Sequence, residues 1–204
     1  MPQGRSGISA TTAPNMVLDA GEVWFNIGIT ELEGAGSDPW DDATSVSGAV
    51  KVGGTRGGSV FNPGRTLREI PVDGSLGPVK GYVRRQRSAP TLTVNALEIT
   101  EENVEYAIAG ADNATKNTFQ MITGGEIEDT DYIDNVALAT TLKGADHPIV
   151  IVLHNVMVME APEWTLTDSD ELVLNITFTA HTEVDDPNVE AFAIYHPGTV
   201  AAPS

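Results

Sequence analysis

The chain has no cysteine, which removes disulfides, thiolate metal sites and cysteine nucleophiles and suits a reducing compartment. Histidine is nearly as scarce. His147 and His196 each precede a proline, and His154 and His181 fall in strand-like segments. No two histidines have the three- or four-residue spacing of a helical metal site. Aromatic residues make up 6% of the chain, which leaves little from which to build a sugar-stacking platform. The longest apolar runs, 149–153 and 191–195, fall far short of the ~20 residues that cross a bilayer as a helix. The first 14 residues are rich in Gly, Ser and Thr and lack a signal-peptide apolar run, so the expectation is a soluble cytoplasmic product with no membrane anchor.

The most informative shortage is of positive charge in the second half. Residues 1–95 carry nine acidic and nine basic side chains, and residues 96–204 carry the other twenty of the 29 acids against Lys116 and Lys143 alone. The whole formal charge of −18 therefore arises after residue 95. Eight of the 11 basic residues lie within 51–87. Lys and Arg supply most of the affinity for phosphates, so the second half is excluded as a nucleic-acid surface.

What is present is period-two alternation. Leu172, Leu174, Ile176, Phe178 and Ala180 alternate with Val173, Asn175, Thr177, Thr179 and His181, and Leu92, Val94 and Ala96 alternate with Thr91, Thr93 and Asn95. Each set predicts a strand with one buried and one polar face. The run 149–153 is apolar at every position, which predicts burial on both faces. Further strands are expected over 23–29, 66–72, 79–87, 118–122, 136–142 and 191–195. One helix is expected, with Thr100 as N-cap, Glu101 and Glu102 in the first turn, Val104, Ala107 and Ile108 on one face, and Gly110 at its end. The fold class is mainly β: an antiparallel sandwich or barrel with one short flanking helix and long loops. It spans 15–197, between an N-terminal arm (1–14) and a C-terminal tail (198–204). The loop 31–51 is long enough to be a functional arm. The turn 73–78 joins two strands, and Pro71 marks a strand that lies at an edge or reaches out of the sheet.

Catalytic and metal signatures are missing. The glycines of 53–58 lack the GKS/T ending of a phosphate loop and predict a flexible turn. No Gly-x-Ser-x-Gly elbow occurs. The acidic run 126–134 raises calcium binding. An EF-hand loop starting at Asp129 would need Gly at its sixth position and Glu at its twelfth, where Asp134 and Thr140 stand. The plain alternative is a solvated acidic loop. No enzyme, cofactor or metal is expected.

One stretch is distinctive: Phe61-Asn-Pro-Gly-Arg-Thr-Leu-Arg-Glu-Ile-Pro-Val-Asp-Gly-Ser-Leu-Gly-Pro-Val-Lys-Gly81. With Pro90-Thr-Leu-Thr-Val-Asn-Ala-Leu-Glu-Ile-Thr100, the helix after it, and the opening Ala13-Pro-Asn-Met-Val-Leu-Asp-Ala-Gly21, it resembles the major tail tube proteins of long-tailed, non-contractile bacteriophages. The specific part is Ile70-Pro-Val-Asp-Gly followed by Gly77-Pro-Val-Lys-Gly81, so the turn residues Asp73, Gly74, Gly77, Pro78, Lys80 and Gly81 carry the likeness. It covers about the first half of the chain. The resemblance implies a β-sandwich with a flanking helix, in hexameric rings that stack into a tube with strands joined in a continuous lumen barrel. Residues 79–87 would form one arm of a long hairpin, 31–51 would reach the adjacent ring, and the terminal segments would clasp neighbours. The implied partners are further copies, a tape-measure protein and the tail terminator and tip proteins. Genomic DNA would pass through without specific binding, and the location would be the virion, assembled in the host cytoplasm.

The charge division fits such a role. A wall carrying Glu126, Glu128, Asp129, Asp131 and Asp134 would keep phosphates off a narrow bore, since screening limits its reach to about 8 Å at physiological salt. A basic stripe of Arg65, Arg68, Lys80, Arg84, Arg85 and Arg87 would meet acidic surfaces of neighbouring subunits. Two other readings stand beside this one: a capsid decoration or other β-sandwich virion protein, and an acidic module that mimics DNA.

Overall fold

Buried alternation builds the sheet. A computed structural model describes residues 12–198 except 18, 35 and 37. Only residues 12–14 of the expected N-terminal arm and residue 198 of the expected tail are therefore described. In chain order the elements are β1 (Glu22–Phe25), α1 (Ile29–Leu32), α2 (Pro39–Thr44), β2 (Val50–Lys51), β3 (Thr55–Asn62), β4 (Arg65–Glu69), β5 (Val83–Ser88) and β6 (Thr91–Ala96). Then follow α3 (Glu101–Tyr106), β7 (Ala111–Lys116), β8 (Phe119–Gly124), a 3₁₀ turn (Asp129–Asp131), β9 (Ile133–Thr140), β10 (Ile149–Val158), β11 (Leu174–Ala180) and β12 (Phe192–Tyr195). The protein is mainly β, with antiparallel pairing in every sheet.

Eight strands run in the order β2-β1-β9-β10-β11-β6-β3, with β12 beside β10. Laid flat, β1 and β11 would lie three strand spacings apart, about 14 Å. Yet the rings of Phe25 on β1 and Phe178 on β11 have centroids 5.6 Å apart. The sheet therefore folds over on itself around one core containing Val23, Phe25, Leu92, Val94, Val136, Leu153, Ile176 and Phe178.

Two corners make the fold possible. At the first, β2 pairs with β1, the Val52 amide donates to the Val23 carbonyl, and then Thr55 pairs with Ala96 on β6. One continuous segment thus joins both edges of the sheet, turning at Gly53, whose φ of 92° is open to glycine at no steric cost. At the second, β10 pairs with β12 through 150–153 and with β11 through 156–158. Between these stretches Asn155 has φ 48°, and the His181 amide is shared by the His154 and Asn155 carbonyls. This bulge reverses the side-chain alternation, so Leu153 and Val156, three residues apart, both enter the core.

Before the bulge, the other face of β9 and β10 is buried too. Ala137, Ala139, Val150 and Val152 form a second cluster under Trp24, Ile29, Leu32 and Trp40. The two-sided burial expected of 149–153 follows from this helical cover. The loop 31–51 accordingly differs from expectation: it contains α2, capped by the Asp38 side chain, as well as β2. Trp40 draws it onto the sheet. Of the glycines of 53–58, expected in a flexible turn, Gly53 and Gly54 lie at the first corner, whereas Gly57 and Gly58 lie within β3, which pairs with β6 across a register shift that absorbs them. The strand β7 was missed because Ala111-Asp-Asn-Ala-Thr-Lys116 has no apolar alternation; it exists only as the partner of β8. The arms expected over 66–72 and 79–87 pair regularly only over β4 and β5, leaving 70–82 as a broad tip.

The helix after β6 starts as expected, with the Thr100 hydroxyl accepting from the Asn103 amide at 3.2 Å. Its buried face is Asn103 and Ala107, in place of Val104 and Ile108. The Asn103 side-chain amide donates to the carbonyls of Val52 and Glu98, each at 2.8 Å, and ties α3 to the first corner. Among the described residues no helix is long and apolar enough to cross a membrane.

Candidate functional site: a two-faced hairpin and an acidic turn

The strands β3 and β6 continue outward as β4 and β5, so 55–96 is one long hairpin with its inner half in the sheet. The joint lies at Asn62-Pro63-Gly64 and Ala89-Pro90. Gly64 has φ 59°, and a side chain there would strike the Ala89 carbonyl. Every residue of β4 is exposed, and all of β5 except Ser88. The tip is closed by the Ile70 amide donating to the Tyr82 carbonyl and holds the motif residues Asp73, Gly74, Gly77, Pro78, Lys80 and Gly81. Ile70, Val72, Leu76 and Tyr82 are all exposed there. An isolated two-stranded hairpin is marginal in water, so this one needs support from outside itself.

Part of that support comes from the hairpin's own molecule. Arg65 and Arg85 both reach Glu190, at 3.0 and 2.5 Å, the Ser88 hydroxyl donates to the same carboxylate at 2.6 Å, and Arg85 also donates to the Asn188 carbonyl. These contacts hold the Glu190 carboxyl below its ordinary range, the Ser88 hydrogen bond first and the two guanidinium groups after it.

The expected single basic stripe is therefore two surfaces. Arg65 pairs with Ser88 and Leu67 with Arg85, on the face turned toward Glu190. Thr66 pairs with Arg87 and Arg68 with Arg84, on the opposite face. The extra residue Gln86 interrupts the register between the Thr66–Arg87 and Leu67–Arg85 pairs and brings Arg87 to the side of Arg84. Arg68, Arg84 and Arg87 make no ion pair among the described residues. Like charges directly opposite one another oppose pairing by up to about 1 kcal/mol. Lys80 stands apart at the exposed tip.

The expected anionic wall lies elsewhere, and mostly not on a strand. Glu126 and Glu128 occupy the connection after β8, Asp129 and Asp131 the 3₁₀ turn, and Asp134 the start of β9; all are exposed except Asp131, which is half-buried. The turn is fixed by a reciprocal capping box between Glu128 and Asp131. None of the five forms an ion pair among the described residues.

The outer face of β11, β6 and β3 carries no helical cover among the described residues. It presents the uncharged side chains of Thr91, Thr93, Asn95, Asn175, Thr177, Thr179 and Val60, with Arg56 exposed at the start of β3. The Thr93 and Thr177 hydroxyls bond at 3.0 Å, and the Asn175 amide donates to Asn95 at 2.6 Å. Carboxylates stand beyond both strand ends: Glu98, Asp170 and Glu171 at one, and Glu183 and Asp186 at the other. Arg56 holds Asp170 and Glu171, and lowers the Asp170 carboxyl from its ordinary value.

Two clefts lie near these features. One, of about 280 Å³, lies beneath the acidic turn and is lined by Asn26, Tyr106, Asp131 and Asp134. Burial raises the Tyr106 hydroxyl there. The other brings His154 and His181 beside Glu183 and Asp186. Burial pushes the His154 imidazole down. No group of three His, Asp or Glu side chains among the described residues is arranged to hold a metal ion.

No described protein family and no curated protein matches this chain.

Proposed function

We propose that this protein is the major tail tube subunit of a long-tailed bacteriophage, a structural virion protein that assembles into hexameric rings stacked as a tube. The observation that carries this reading is the outer hairpin. The segment with the family-like motif stands clear of the sandwich, exposed on both faces and apolar at its tip. A hairpin with those properties has its use in contact with another molecule. Contacts between unlike surfaces of identical subunits generate rings or filaments, as a tube requires.

The uncovered face of β11, β6 and β3 suits the lumen. Its hydroxyl and amide surface gives DNA little to bind, since Arg56 at its margin is held by Asp170 and Glu171, and the carboxylates beyond the strand ends, within a net charge of −18, repel phosphates. The open edge of β3 has unpaired backbone groups available to a strand of a neighbouring subunit. The role is a conduit without catalysis. Its partners are further copies, a tape-measure protein and the terminator and tip proteins.

Negative-stain microscopy of the purified protein tests this. Six-fold rings or tubes are expected. Trimers or monomers that bind a capsid would identify a decoration protein, and monomers that inhibit a nuclease would identify a DNA mimic.

A further inference from the structure

The hairpin's two faces have been treated differently by the fold. Arg65 and Arg85 are neutralised by Glu190 of the same chain, whereas Arg68, Arg84 and Arg87 face away from it. Their placement is specific: Arg68 and Arg84 are direct cross-strand partners, and the Gln86 register shift adds Arg87 to the same side. Three exposed guanidinium groups on one small face repel one another until an anion lies across them.

The chain also holds the complementary surface. Glu126, Glu128, Asp129 and Asp134 are exposed, Asp131 is half-buried, and all five are free of ion pairs among the described residues, on a turn fixed by the Glu128–Asp131 capping box. Among the described residues they form no ion pair with the arginines of their own molecule.

We infer that the Arg68–Arg84–Arg87 face of the hairpin docks on the acidic segment 126–134 of a second copy of this chain. The contact is heterologous, since each copy offers one surface and receives on the other, so it propagates. The inference rests on the self-assembly proposed above and assigns the acidic segment to a subunit boundary, leaving lumen repulsion to the carboxylates at the strand ends. Nucleic acid is a poorer occupant of the arginine face, because the remainder of a strongly anionic chain repels it.

Charge exchange tests the pairing. One variant carries R68E/R84E/R87E; the other carries E126K/D129K/D134K, which leaves the Glu128–Asp131 capping box intact. Circular dichroism checks that both retain the fold. Sedimentation velocity should show each variant alone at least about tenfold weaker in association than wild type, and an equimolar mixture restored toward it. A mixture as inert as its parts, or a hairpin variant that assembles like wild type, overturns the pairing. So does wild-type binding of a DNA duplex that the hairpin variant loses. Wild-type tubes alongside an unaffected hairpin variant defeat this inference alone. Association of the mixed variants without tubes from wild type defeats the tube reading alone.

Discussion

The strands β11 and β5 are of similar length, and each pairs antiparallel within the same chain, yet they stand for two different kinds of structure. In β11, Leu174, Ile176, Phe178 and Ala180 are buried while Asn175, Thr177 and Thr179 face outward. In β5, no residue is buried, and three of its six are arginine. The first strand is held by removal of apolar surface from water. The second is held by ladder hydrogen bonds and by one carboxylate, Glu190. Since exposed ion pairs contribute about 0–1 kcal/mol each, a network on Glu190 orients the hairpin more than it stabilises the fold. The well-packed body and the weakly supported, charged arm thus depend on different forces, apolar burial in one and ladder hydrogen bonds with a charge network in the other.

Perturbing the body should cost most. Phe178→Ala removes a ring packed against Phe25 and should lower unfolding free energy by about 3–5 kcal/mol in urea titrations. A loss below 1 kcal/mol would remove the basis for treating the sandwich as the stabilising unit. Next is the corner. Asn103→Ala leaves the Val52 and Glu98 carbonyls without their donor and should cost about 1–3 kcal/mol, read in the same titration.

At the joint the two regions should come apart. Gly64→Ala forces a left-handed backbone on a side chain and drives that side chain into Ala89, a backbone penalty of about 1–2 kcal/mol before the clash. Hydrogen exchange should accelerate across 65–69 and 83–88 while β9 and β10 stay protected. Equal acceleration in both would mean that the hairpin and body unfold as one unit.

The smallest effect on global stability belongs to Glu190→Gln, under about 1 kcal/mol, with loss of protection confined to the hairpin. Acid should act on the wild type in the same manner. The folded carboxyl titrates below its ordinary value of 4.5, so its contribution is complete above that value and disappears as pH falls through the folded pKa. Amide shifts of β4 and β5 followed by NMR through that range should respond in the wild type and not in Glu190→Gln.

Much of the body is legible in the chain because burial writes a period into it. The alternation around Thr91–Ala96 and Leu174–Ala180, the solid apolar run at 149–153 and the Thr100 cap each act through neighbours close in sequence. Elements without an apolar period were not legible. The helix α2 sits in a Gly- and Ser-rich stretch and depends on Trp40 meeting Trp24, and β7 depends on β8 alone. Asn103 gives no sequence signal, since its partners are Val52, fifty-one residues away, and a nearby backbone carbonyl.

The charged site divides in the same way. The sequence alone determined that cations gather within 51–87, that the acidic excess follows residue 95, and that the second half repels phosphates, because formal charge is independent of conformation. Which arginines act together was decided only by the tertiary structure. Strict alternation would set Arg85 and Arg87 on one face and Arg84 on the other. The Gln86 register shift instead joins Arg87 to Arg84 and Arg68 and leaves Arg85 with Arg65 on Glu190, a residue more than a hundred positions distant. A bulge is a property of two paired strands, and the anchor belongs to a third segment, so neither exists before the chain has folded.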